Sequence, residues 1–94
     1  MKIEVIARIL EAIPNVRKDG NAWIASDETD VALYIGTPAE VLTLPRIARI
    51  SMATDLVTIE THKGDRFFFS PEDVLGVKSG VPERGNRGGG AGFR

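Results

Sequence analysis

The chain has 94 residues, 43% apolar and 27% charged, with a net charge of −1 and no cysteine. Such a length supports one modest core but not two ordinary domains, and the composition is far from the low-hydrophobicity, high-charge balance of disordered chains. Lack of cysteine excludes a disulfide framework, a thiolate nucleophile and a cysteine-based zinc site, leaving stability to the core or to self-association.

Met1-Lys2-Ile3-Glu4-Val5 brings in a carboxylate at once. No apolar run approaches the roughly 18 residues of a membrane-spanning segment, so neither secretion nor insertion is indicated and a cytoplasmic location is expected. Ile6, Ile9, Leu10 and Ile13 then recur at helical spacing, with Arg8 and Glu11 between them, until Pro14-Asn15 breaks the pattern. The spacing predicts an amphipathic helix over residues 2–12. Its rival is a strand over residues 3–9, because isoleucine and valine are stiff at χ1 and fit pleated structure better.

Lys18-Asp19-Gly20-Asn21 is turn chemistry and introduces a short strand at Ala22-Trp23-Ile24-Ala25-Ser26. The acidic cluster Asp27-Glu28-Thr29-Asp30 makes a second turn before an apolar strand over residues 31–35. In both strands the large ring, Trp23 or Tyr34, is expected to fill the core. Thr37-Pro38-Ala39-Glu40 and Ser70-Pro71-Glu72-Asp73 share one pattern: a hydroxyl at the N-cap, proline at the first helical position and a carboxylate at the third. Each predicts a helical start of one or two turns, the first stopped by Pro45 and the second by Gly76.

Between them lies the strongest β signal. Ala48, Ile50 and Met52 alternate with Arg49 and Ser51, Ala53-Thr54-Asp55 turns, residues 56–61 alternate again, and residues 66–70 complete a hairpin beyond His62-Lys63-Gly64-Asp65. With Lys63-Gly64 at the tip, Thr61 is expected opposite Arg66, Ile59 opposite Phe68 and Val57 opposite Ser70. The other face then pairs Glu60 with Phe67 and Thr58 with Phe69. Residues 81–94 differ in kind. They hold five glycines and a proline with few apolar residues, which predicts a flexible Arg/Gly tail after a folded unit of residues 1–80. Up to Gly80 nine basic residues face twelve acidic ones, whereas the tail sets Arg84, Arg87 and Arg94 against Glu83. A mildly acidic body therefore carries a basic end.

The fold expected from these elements is α+β and mostly β, an antiparallel sheet of about five short strands covered by the N-terminal helix. No residue pattern dictates a chemistry. His62 is the sole histidine, and with Glu60 on the same strand face it is the one starting point for acid–base catalysis; it lacks a nucleophile and a concave setting, and reads as a polar hairpin tip. Asp27, Glu28 and Asp30 lack the spacing of a calcium loop, and one histidine without cysteine makes a poor transition-metal site, so neither metal nor cofactor is expected. Arg84, Arg87 and Arg94 have the composition of segments that hold nucleic acid by backbone electrostatics, but in a number that supports only weak, salt-sensitive attraction. The Phe67-Phe68-Phe69 run is the feature best suited to function: if the helix leaves one sheet face open, Phe67, Phe69 and Leu56 form an apolar patch for a second copy or a partner protein. The expected function is a non-enzymatic interaction module, an adaptor or regulatory subunit that self-associates through a sheet face or edge. A weak nucleic-acid-associated protein using the tail, and a small enzyme using Glu60 and His62, are the alternatives.

Overall fold

A computed structural model describes residues 1–81. Helix α1 (Ile3–Glu11) is followed by eight strands: β1 (Val16–Asp19), β2 (Ala22–Ala25), β3 (Asp30–Gly36), β4 (Val41–Leu44), β5 (Ile47–Met52), β6 (Val57–Thr61), β7 (Arg66–Phe69) and β8 (Val74–Gly80), with a 3-10 turn at Pro71–Asp73 before the last. All pairings are antiparallel. They form a five-stranded sheet in the order β1-β2-β5-β6-β7 and a three-stranded sheet in the order β4-β3-β8. The α+β class, the antiparallel pairing and the N-terminal helix are those expected from the sequence; the described strands number eight and divide between two sheets. Beyond Val81 the expected tail, with Arg84, Arg87 and Arg94, lies outside the described residues.

Helix wins over strand at the N-terminus because only a 3.6-residue period brings Ile9 to the same side as Ile6 and Leu10, which are fully buried while Ile9 packs against the core. A strand would have split Ile6 from Ile9. The Met1 amino group donates to the Pro71 and Val74 carbonyls at 2.7 and 3.0 Å, which fastens the start of α1 to the beginning of β8. One core is shared by the helix stripe and by the inner faces of both sheets: Trp23, Ile50, Val57 and Ile59 from the larger, Val31, Leu33, Ile35 and Val74 from the smaller. Trp23 meets the core as expected. Tyr34 does not: it alternates with the buried Leu33 and Ile35 and therefore stands half-buried on the outer face.

Three strands were not legible as such. β1 carries Arg17, Lys18 and Asp19 and is held on β2 by a two-residue turn whose first residue, Gly20, has φ +65°. At β4 the expected helical start is replaced by a hairpin. The Thr37 hydroxyl does accept from the Ala39 and Glu40 amides, as a cap would, at 3.3 and 3.0 Å, and it donates to the Glu40 carbonyl at 2.8 Å. The chain beyond is Val-Leu-Thr-Leu, too short before Pro45 for a helix and able to pair along β3 from Gly36↔Val41 to Leu33↔Leu44. The second start is a single 3-10 turn capped by Ser70, whose hydroxyl accepts from the Glu72 amide. Val74–Gly80 then extends along β3 through Gly76, which tolerates a place in the strand because the Tyr34 ring lies beside it.

Candidate functional site

The aromatic strand comes first, since the sequence marks it. The β6–β7 hairpin closes one residue tighter than expected. The Gly64 amide donates to the Thr61 carbonyl at 2.9 Å, Gly64 takes φ +96°, and the Thr61 amide donates to the Asp65 carbonyl at 2.9 Å. A three-residue loop ending in a left-handed glycine leaves Asp65, rather than Arg66, opposite Thr61. The register is accordingly Glu60↔Arg66, Ile59↔Phe67, Thr58↔Phe68 and Val57↔Phe69. A slip of one residue exchanges the faces of a strand. Phe67 and Phe69, expected on the second face, share the inner face with Ile59 and Val57, half-buried and stacked on each other at 6.4 Å between centroids. Phe68, expected opposite Ile59 in the core, is 59% exposed on the outside. Leu56, at the β5–β6 turn, is exposed.

Glu60 and His62 are not brought together as an acid–base pair. Glu60 faces its cross-strand neighbour Arg66, 3.0 Å from its guanidinium, while His62 Nδ1 stands 3.4 Å from Asp27 Oδ1 in the acidic turn. Among the described residues no three histidine, aspartate or glutamate side chains converge as metal ligands. Instead the turn is knitted together by hydroxyls. Buried Thr29 donates to the Pro14 carbonyl at 3.0 Å and accepts from Asn15 Nδ2 at 3.3 Å, and Ser26 Oγ accepts from the Glu28 amide.

His62 and Asp27 belong to a cleft of about 500 Å³ that the sequence did not point to. Its floor is the outer surface of the small sheet at Ala32, Thr43 and Lys78, and its wall is the β4–β5 connection at Pro45 and Arg46. The Arg46 amide donates to Asp30 Oδ1 at 3.0 Å and the His62 amide donates to the Arg46 carbonyl at 3.0 Å, so three separate loops meet at one residue. Pro45 followed by arginine, in a place where the chain must reverse, is the signal that could have located it.

The third feature is the open side of the small sheet. Outward-facing Tyr34, Val41 and Leu75 form an apolar surface, with Val41 58% and Leu75 55% exposed. Leu75 lies down over Gly36, whose absent side chain leaves it room: a Cβ there would stand 3.1 Å from Leu75 Cδ1. Beside this surface β4 ends the sheet with an unpaired edge. No helix among the described residues is long and apolar enough to cross a membrane. No protein family, no curated protein sequence and no solved structure matches this chain, and the functional reading rests on these three surfaces alone.

Proposed function

We propose that the protein is a non-enzymatic interaction module that self-associates by pairing β4 with β4 of a second copy. The observation that carries this reading is the contrast among the four sheet edges. Proteins guard such edges with charge, bulges or proline, because a bare row of amides and carbonyls templates another strand. β1 carries Arg17, Lys18 and Asp19, β7 carries Arg66 and β8 carries Lys78; β4, Val41-Leu42-Thr43-Leu44, carries no charge and exposes Val41 and Leu42. Antiparallel pairing of identical strands about a two-fold axis is self-complementary, and an uncharged strand meets its copy without like-charge repulsion. The pairing would also set the exposed Val41 and Leu42 of each copy beside the partner strand, which adds apolar burial to the backbone hydrogen bonds.

Light scattering coupled to size-exclusion chromatography tests the reading. The expected mass is that of a dimer at high micromolar protein. Val41→Lys, an exposed edge substitution that leaves the core untouched, is expected to shift the protein to monomer while changing stability by less than about 0.5 kcal/mol. A parent protein that stays monomeric at millimolar concentration would remove the proposal.

A further inference from the structure

The outer face of the five-stranded sheet supplies no side chain to the core. Trp23, Ile50, Ile59 and Phe67 meet across β2, β5, β6 and β7 on the inner face, so the residues that alternate with them stand on the other side. On β1 the Lys18 ammonium lies 5.6 Å from the Trp23 ring, which leaves Arg17 and Asp19 outside as well. Two cross-strand rows result. One is Arg17, Ile24, Arg49, Glu60 and Arg66, and its neighbour is Asp19, Ala22, Ser51, Thr58 and Phe68.

Charge is divided unevenly between this face and the rest of the body. Up to Gly80 nine basic residues stand against twelve acidic ones; the face holds three of the former and two of the latter, leaving six against ten elsewhere. It thus carries a positive balance on an acidic body. Its cations are all guanidiniums, and two of them lie along the surface: Arg66 Nη2 donates to Glu60 Oε2 at 3.0 Å, and Arg49 Nε stands 3.5 Å from Ser51 Oγ. The Arg66–Glu60 pair is exposed and holds its partners weakly, and each guanidinium keeps further N–H donors for an incoming acceptor. Phe68 stands among them, 59% exposed, two residues along β7 from Arg66 and opposite Thr58. One ring bordered by hydroxyls and guanidiniums lacks the contiguous apolar centre of a protein interface. A five-stranded sheet is also too wide for a duplex groove, which admits a helix or a two-stranded ribbon. The face has instead what a splayed single strand requires: an aromatic plane for a base, forked donors for phosphates and hydroxyls for the ribose.

We infer that this face binds single-stranded RNA, with a base stacked on Phe68 and phosphates held by Arg49 and Arg66. β4 lies in the other sheet and supplies no residue to it, so the inference stands apart from self-association. Its test is the fluorescence anisotropy of labelled decauridine with the full chain at about 20 mM salt, alongside decadeoxyuridine, which lacks the 2′-hydroxyl. Saturable binding is expected, tighter for the RNA, and loosening as salt rises with a log–log slope of about −1.4 for two phosphate contacts. Phe68→Ala should bind at least about fivefold more weakly with a nearly unchanged urea midpoint, and Phe68→Trp should bind as tightly as the parent or more so. Arg49→Gln should weaken binding and make the salt slope shallower by about 0.7. No saturable binding to either oligonucleotide, the result for a face that meets protein alone, would overturn the inference. So would equal or tighter binding of the DNA. Parental affinity in Phe68→Ala would overturn it too, and loss of that binding on replacing Arg84, Arg87 and Arg94 would assign the contact to the residues beyond Val81.

Discussion

Left-handed backbone at Arg46 and at Gly64 makes the same demand on the side chain, and the two residues answer it differently. Gly64 meets φ +96° without steric cost, and the tight β6–β7 loop depends on it. Arg46 accepts φ +57° at a cost of about 1 kcal/mol. Paired substitutions should therefore move stability in opposite directions: Gly64→Ala is expected to lower it by about 1 kcal/mol or more, and Arg46→Gly to raise it by up to about 1 kcal/mol, reduced somewhat by the larger unfolded-state entropy of glycine. Urea midpoints at unchanged m-value measure both. Glycine at 64 could be read from the sequence as turn chemistry. Arginine at 46 could not, because a strained residue looks like any other until its φ is known. The same holds for His62, whose carboxylate neighbour proved to be Asp27, 35 positions away, rather than the nearby Glu60.

At the level of elements, the β6–β7 hairpin is where a one-residue difference matters most. Its strands were legible from alternation, but its register was not, since a loop of three residues and one of four use the same His-Lys-Gly-Asp chemistry. The structural register predicts that Phe67→Ala, which removes a ring packed on Ile59, costs about 2 kcal/mol or more, while Phe68→Ala costs less than about 0.5 kcal/mol. The register expected from sequence would place the larger loss at Phe68, so thermal or urea denaturation of the two variants separates them. Helix α1 was legible nearly to the residue because one helix buries its own stripe, and Pro14 ends it. β1, β4 and β8 were not, for a shared reason: each is short, charged or glycine-containing, and becomes a strand by pairing with β2 or β3 rather than by its own propensity.

Across the whole molecule, the buried side chains concentrate in β2, β3, β5 and β6, which sit inside their sheets, while β1, β4, β7 and β8 form the rims. Native-state hydrogen exchange should follow that division, with the slowest amides in β2, β3, β5 and β6 and the fastest strand amides in β1 and, in the monomeric Val41→Lys protein, β4. If β4 amides in the parent are protected to the level of central strands at high concentration and lose protection on dilution, the edge is paired in the associated form. Uniform fast exchange at β4 would argue against it. The sequence by itself determined the α+β class, the amphipathic helix, the core strands β5 and β6 and the capped turn at Ser70, because these follow from local period and capping chemistry within a dozen residues. Only the tertiary structure decided the split into two sheets, the face on which each phenylalanine stands, the bare edge of β4 and the meeting of Asp30, Arg46 and His62, because each depends on pairings between segments distant in sequence, which no local pattern encodes.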